Sequence, residues 1–265
     1  ADYNNDGLLD FYLTTYRPAT LGDADSPSGG DGGKSPTWPD EFLEPDTASE
    51  YYRRHELYKA ANPSGLPQLL DQLGPPNILY VNRGNGRFEP APENQQIGLW
   101  KNSLQATWAD YDNDGDPDLY VANDWSPDNF YRNDGADGFS DITTEIGTTA
   151  FGFAMGASFG DYDHDGRQDL YVSNMFSKAG NRIIDRLPEI EPAYLESAAG
   201  NYLYKQTGDR FQLVSGLTPQ DIPVAKGGWG WGGQFADFDN DSFLDIYSLS
   251  GYFTAPRRLA SQLDL

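Results

Sequence analysis

A nine-residue acidic loop occurs four times along the chain, each time directly before a short run of aromatic and β-branched residues. The four copies read ADYNNDGLLDFYL from Ala1, ADYDNDGDPDLYV from Ala109, GDYDHDGRQDLYV from Gly160 and ADFDNDSFLDIYS from Ala236. Such a repeat predicts a series of similar structural units, because each unit buries its apolar face only against its neighbours. The spacing between copies is uneven, so we expect insertions within some units.

A second element follows each of the first three loops. It is a short strand, a Gly-containing turn and another strand, which is typical of a β-hairpin. These hairpins begin at Asn77, Asp128 and Asn201, and strands are also predicted before the later loops, at residues 104–109, 151–160 and 227–236. Each unit of strand, loop, strand and hairpin then has four strands. The repeat predicts an all-β fold, a β-propeller of four-stranded blades, with about three to four blades' worth of strands in this chain.

The remaining segments interrupt this pattern. We interpret residues 1–265 as a single propeller segment with insertions at 17–76 and 175–200. Thr47 and Glu50 form a capping-box pattern that predicts a short helix in the first insertion, and residues 193–199 predict helix in the second. Because few blades are present, we expect further segments or other chains to complete the ring.

The acidic loops have the residue types and spacing of a calcium site. Acids or Asn occupy positions 1, 3, 5 and 9, and Gly occupies position 6 in three of four copies. A tight loop directs alternate side chains inward, requires positive φ at position 6 and offers the carbonyl of position 7. Hard oxygen ligands in this number suit Ca²⁺, with up to four ions, one per loop. The predicted ligands are the side chains of Asp2, Asn4, Asp6 and Asp10; Asp110, Asp112, Asp114 and Asp118; Asp161, Asp163, Asp165 and Asp169; Asp237, Asp239, Asp241 and Asp245; and the carbonyls of Leu8, Asp116, Arg167 and Phe243.

Two alternatives compete with this interpretation. An EF-hand shares the first six positions but needs Glu at position 12 and flanking helices, whereas position 12 here is Leu13, Val121, Val172 or Ser248 within strand-like runs. Acidic turns without metal are the second alternative, because Asp and Asn are common in turns. We expect the first loop, with one acid fewer, and the fourth, with Ser242 in place of Gly, to be the weaker sites.

The net charge supports a bound cation and excludes some partners. The chain has 41 acidic and 18 basic residues, a net charge of −23, and most of this excess lies in the four loops. Carboxylates packed this closely disfavour the compact state unless a cation neutralises them. An acidic surface without a basic cluster also argues against nucleic acid as a partner, and no apolar run is long enough to predict a membrane span.

At these loops the chain resembles the FG-GAP/VCBS repeat family, the calcium-loop β-propellers of integrin α-chain heads and many secreted bacterial proteins. The combination of DYDNDGDPDLYVAND, NILYVNRGNGRFE and GWGWGGQFADFDNDSFLDIY is most similar to its cartilage-acidic-protein-like, ASPIC/UnbV-associated branch. The resemblance implies a seven-bladed or similar propeller, calcium in the loops, a role in adhesion or assembly, and a secreted, extracellular, periplasmic or cell-surface location. It implies no known catalytic activity.

The leading functional prediction is a non-enzymatic, calcium-stabilised module that presents its insertions to a protein or glycan partner. An alternative is a polysaccharide lyase or other carbohydrate-active enzyme, in which Tyr51, Arg53, Arg54 or His55 of the first insertion would act on the substrate. A third possibility is a structural subunit of a larger assembly. Fold alone does not separate these functions.

Overall fold

The computed structural model describes residues 1–16, 74–176, 197 and 199–251. The predicted helix that follows Thr47 lies outside these residues, as do Tyr51, Arg53, Arg54, His55 and most of the second insertion. The described part of the chain is all-β, as predicted, and its helices are single turns. The strands are β1 (Phe11–Leu13), β2 (Ile78–Asn82), β3 (Phe88–Pro90), β4 (Ser103–Ala109), β5 (Asp118–Asn123), β6 (Ser126–Pro127), β7 (Asn129–Asn133), β8 (Phe139–Asp141), β9 (Phe151–Gly152), β10 (Gly156–Gly160), β11 (Asp169–Ser173), β12 (Tyr202–Thr207), β13 (Arg210–Leu213), β14 (Gly230–Ala236) and β15 (Asp245–Ser250). The helices are α1 (Asn94–Ile97) and α2 (Thr143–Ile146), with 3-10 turns at Gly135–Asp137 and Pro223–Lys226.

The described strands form a two-stranded ribbon, β6-β9, and four successive antiparallel sheets, which we number in chain order. The second sheet has the order β4-β5-β7-β8 and the third β10-β11-β12-β13, so both follow the predicted unit of strand, acidic loop, strand and hairpin. In the described residues the first sheet contains β1-β2-β3 and the fourth contains β14-β15. Among the first strands of successive units, β10 contacts both β4 and β14. This is a propeller-like arrangement of blades, and the described sheets do not close into a ring.

One predicted strand is wrong. Residues 151–160 were expected to form a single strand, but the structure divides them into β9, which pairs with β6 in a separate ribbon, and β10, which belongs to the third sheet. The backbone N–H of Phe153 donates to Oδ1 of the buried Asn174 at 2.6 Å, in place of a strand partner. This side-chain bond satisfies the backbone where the chain leaves one sheet for the other.

Alternating side chains of the central strands are buried against the sheets on both sides. In β5, Leu119 and Val121 pack with residues of the first sheet, whereas Tyr120 and Ala122 pack with residues of the third. All four are fully buried. Successive residues of a strand point to opposite faces of its sheet. Because every residue of β5 is buried, both faces of the second sheet are covered. Each large side chain buried in this way stabilises the fold by about 2–3 kcal/mol.

The third and fourth sheets meet through a glycine-rich strand. Tyr171 of β11 and Phe235 of β14 are buried together, with ring centroids 6.2 Å apart. A Cβ atom at Gly233 would lie 2.2 Å from Cε1 of Tyr171, so a side chain there would overlap the ring. The run GGWGWGG therefore packs closely against the neighbouring blade. Within the described residues, no helix is long and apolar enough to cross a membrane.

Candidate metal centres

Three of the four acidic loops bring three carboxylates together. In each, one oxygen from the first, third and ninth residues lies within 4.8 Å of the other two. A single ion can contact all three oxygens at this separation. The clusters are Asp110, Asp112 and Asp118; Asp161, Asp163 and Asp169; and Asp237, Asp239 and Asp245. The first loop has Asn4 at its third position, so it does not form a cluster of three carboxylates.

The first aspartate of each loop organises the turn. In the second loop, the N–H groups of Asp114 and Gly115 donate to Oδ1 and Oδ2 of Asp110, both at 3.0 Å. The same pair of bonds, at 2.9–3.1 Å, occurs in the other three loops: Asp6 and Gly7 to Asp2, Asp165 and Gly166 to Asp161, and Asp241 and Ser242 to Asp237. Both carboxylate oxygens at position 1 are thereby oriented by the backbone.

Two positions of every loop have positive φ. Position 6 was predicted to need it, and φ is +97° at Gly115 and +75° at Ser242, the one non-glycine residue at this position. Position 4 also has φ between 56° and 61°, a feature that was not predicted. The signal was present, because Asn occupies position 4 in three of the loops and tolerates the left-handed region better than most residues. Strands flank the second, third and fourth loops on both sides, and β1 follows the first, so the flanking helices of an EF-hand are not found at these loops.

The ninth aspartate joins its loop to the hairpin of the same sheet. Oδ2 of Asp118 accepts the N–H of Tyr111 at 3.0 Å, and Oδ1 accepts the N–H of Asn133 in β7 at 2.9 Å. Equivalent bonds run from Asn82 to Asp10 at 2.7 Å and from Gln206 to Asp169 at 2.8 Å. A change at position 9 would therefore disturb both the candidate ion site and the pairing of the third strand.

Hairpin side chains also connect neighbouring blades. The side-chain amide of Asn133 donates to the carbonyl of Tyr3 in the first loop at 2.8 Å. In the next blade, the amide of Gln206 donates to the carbonyl of Tyr111 in the second loop at 3.0 Å. Both receiving residues occupy position 2 of their loops, so the contact repeats from one blade to the next. The acidic loops are thus held between the hairpins of two blades.

Burial perturbs three carboxylates in the clusters of the second and third loops. It raises the pKa of Asp118 to about 7 and that of Asp169 to about 6, although backbone N–H groups oppose the change. Partial burial and the negative charges of Asp114 and Asp110 raise the pKa of Asp112. These shifts mean that the carboxylates repel one another and are poorly solvated. A bound cation would favour their ionised forms.

The third loop differs, because basic side chains contact its carboxylates. The Lys205 ammonium contacts Asp163 and lies 3.3 Å from Oδ2 of Asp165, and the Arg167 guanidinium also contacts Asp165. Desolvation works against ionisation of Asp165, but its hydrogen bonds with Arg167 and Lys205 lower its pKa overall. The loop spacing predicts a ligand role for Arg167 only through its carbonyl, and it gives no signal for Lys205, which lies 40 residues from the loop's fifth position.

Neighbouring loops contact each other through positions 4 and 7. The side-chain amide of Asn5 donates to Oδ1 of Asp116 at 2.6 Å. The ring of His164 stacks on that of Phe243, with centroids 4.5 Å apart and planes 6° apart. The first and second loops, and the third and fourth, are therefore adjacent at one end of the blades.

The structure brings some of the predicted ligands close together. Positions 1, 3 and 9 converge in the second, third and fourth loops. Position 5 is not part of these clusters, and its Oδ1 accepts the N–H of position 7 in every loop: Asp6 from Leu8, Asp114 from Asp116, Asp165 from Arg167, and Asp241 from Phe243. Coordination by position 5, by the carbonyl of position 7 and by the first loop stays a prediction.

Sheets of this order and repeated acidic loops define the chain as a propeller-type repeat module. Residues 70–121 and 110–172 each match the model of the FG-GAP-like repeat. The two matches overlap at the second loop and β5, and the second of them extends through the third loop. The chain therefore contains two FG-GAP-like repeats, as the resemblance implied. No match to a curated protein was found.

Proposed function

We propose that the acidic loops bind Ca²⁺ and that the bound ions stabilise a propeller module. The observation that carries this proposal is the same convergence of positions 1, 3 and 9 in three loops. All of the donors are carboxylate oxygens, which suit Ca²⁺ better than softer metals. When bound, the ion would supply positive charge that neutralises the cluster.

A further feature of the third loop fits a cation. Oδ1 of Asp163 is buried and has no hydrogen-bond partner in the described structure. An unpartnered buried carboxylate oxygen is costly to the folded state. An ion held by Asp161, Asp163 and Asp169 would satisfy it, since Asp163 belongs to that cluster. The residues present therefore fit the proposed ion.

The first experiment measures metal content and thermal stability. A ligand present at about 100 times its Kd stabilises the folded state by about 2.7 kcal/mol per site. For a chain of this size each kcal/mol shifts the Tm by about 2–4 °C. Removing calcium from three sites should lower the Tm by at least about 10 °C, and added Ca²⁺ should restore it more fully than equimolar Mg²⁺. An unchanged Tm in excess EDTA would refute calcium stabilisation.

We propose further that the module is non-enzymatic, belongs to an exported protein, and binds a protein or glycan partner or assembles with other chains. The FG-GAP-like repeats support a binding or adhesion role. The finer relationship to the cartilage-acidic-protein-like branch is part of this proposal and is supported by the motifs quoted above. The contact surface is proposed on the two insertions, and completion of the ring by further segments or other chains belongs to the same proposal.

Two assays separate the binding role from the alternatives. A polysaccharide lyase would convert acidic polysaccharides into unsaturated products with new ultraviolet absorbance, and we expect none. A structural subunit would assemble in solution, which native mass measurement detects, whereas a free module would bind immobilised glycans or proteins as a monomer. Product formation that is lost in an Arg53→Ala variant would refute the non-enzymatic proposal.

A further inference from the structure

The third loop carries its own positive charge. Lys205 of β12 contacts two of its carboxylates, Asp163 and Asp165, and Arg167 contacts Asp165 from within the loop. Asp163 belongs to the proposed ion cluster. In the described structure, no Lys or Arg forms an ion pair with the corresponding aspartates of the second and fourth loops. The third loop is therefore the one in which two charges are already offset without a metal.

The second blade offers a matched position for comparison. The backbone N–H of Gln206 donates to Asp169, and that of Asn133 donates to Asp118, so these two residues occupy equivalent places on their hairpins. The residues before them are Lys205 and Arg132. Arg132 forms its ion pair with Asp134 of its own hairpin at 2.6 Å, and its charge acts on Asp112 of the second loop without a close ion pair there. The two basic residues thus share a position but differ in their partners.

We propose that Lys205 is an internal counterion that competes with the divalent cation of the third loop and sets the affinity of that site. This inference rests on the proposed calcium binding. With no divalent ion bound, the ammonium offsets the charge of Asp163 and Asp165 and stabilises the blade. When the ion enters, it takes over Asp163, and the ammonium moves away from the carboxylates. The third loop is then a weaker site than the second and depends less on calcium for its folding.

The physical basis is that both cations use the same carboxylate, that of Asp163. Oδ2 of Asp163 contacts Lys205, while Oδ1 has no donor. A divalent ion and an ammonium close to the same carboxylate repel each other, and the ion pair is lost when the metal binds. At short range near a protein surface this repulsion is large enough to reduce affinity by about tenfold or more. Lys205 is an affinity-determining residue in this scheme, not a ligand.

The test compares Lys205→Met with the matched variant Arg132→Met. Calcium binding is measured by calorimetric titration of the metal-free protein, and the heat lost in an Asp163→Asn variant identifies the third site. Lys205→Met should tighten that site by about tenfold, and it should lower the Tm of the metal-free protein. Arg132→Met should change the affinity of the second site by less than Lys205→Met changes that of the third, because the Arg132 side chain pairs with Asp134 and acts on Asp112 without a close ion pair.

The opposite signs of the two effects separate competition from a purely structural role. A structural role would lower the metal-free Tm without tightening calcium binding. Lys205→Arg, which keeps the charge, should retain the weak affinity, and Lys205→Gln serves where the Met variant does not fold. The inference would be overturned if the wild type binds calcium and if Lys205→Met and Lys205→Gln bind it at the third site with the same affinity as the wild type. A wild type that binds no calcium would overturn the proposed function instead.

Discussion

The buried carboxyl group of Asp128 should make folding stability depend on pH. Asp128 precedes β7 and is 4% exposed. Its Oδ1 accepts the N–H of Asn123, and its Oδ2 accepts the hydroxyl of Tyr120, both at 2.7 Å. Burial raises its pKa to about 7, although these two hydrogen bonds and the charge of Lys101 act in the opposite direction. The residue lies outside the acidic loops, so its titration can be studied with calcium present throughout.

The sign of the effect follows from the raised pKa. Between pH 4 and pH 7 the folded state holds a proton on Asp128 that the unfolded state has released, so the contribution of this group to stability falls as pH rises. A pKa change from 3.8 to about 7 corresponds to a total loss of up to about 4 kcal/mol, at about 1.4 kcal/mol per unit. Most of this loss, about 2–3 kcal/mol, falls between pH 5 and pH 8.

The Asp128→Asn variant removes this dependence while keeping the side-chain shape. Urea unfolding of wild type and variant is compared at pH 5 and pH 8 in millimolar calcium. Titrations common to both proteins cancel in the difference between them. The variant should gain about 2–3 kcal/mol relative to wild type between the two pH values. Tyr120→Phe removes a donor that favours the ionised form of Asp128. It should therefore raise the pKa of Asp128 further and increase the stability lost between pH 5 and pH 8. Parallel stability profiles for Asp128→Asn and wild type would refute the reasoning.

Three substitutions in the fourth sheet and its loop give further predictions. Gly233→Ala places Cβ 2.2 Å from the Tyr171 ring, so it should destabilise the protein by about 2 kcal/mol or more in thermal melts. Gly232→Ala is the control, because nothing lies within 4 Å of its Cβ. It should cost under about 1 kcal/mol. Ser242→Gly relieves a side chain held at φ +75° and should stabilise by about 0.5–1 kcal/mol in calcium; a lower Tm would show that the serine side chain contributes more than the strain costs.

The repeated unit could be predicted because its signals are local. Asp at positions 1 and 9, a left-handed residue at position 6 and the strand that follows all lie within a dozen residues of one another. Their hydrogen bonds form within the loop or with the next hairpin of the same blade. The alternation in β5 and β11 likewise follows from the two-residue period of a strand. The order of strands in the second and third sheets was therefore readable from the chain.

The features that could not be predicted depend on distant partners. The contact of Lys205 with Asp163 joins residues 42 positions apart, and nothing near Lys205 identifies its partner. The division between β9 and β10 depends on Asn174, which lies 21 residues from Phe153 in the sequence. Packing of Tyr171 on Gly233 is decided only when two sheets meet. Propensity and spacing describe a blade, but they do not describe how one blade sits against the next.

The contacts between positions 4 and 7 of adjacent loops explain why the loops have one length while the other connections do not. A residue added within a loop would move Asn5 away from Asp116, or His164 away from Phe243, and the mismatch would pass to the neighbouring repeat. The connection after β1 spans more than 60 residues before β2 begins, yet the spacing from first to ninth aspartate is identical in all four copies. The length of this chain therefore varies between the strands of a unit and stays constant within the loops that contact one another.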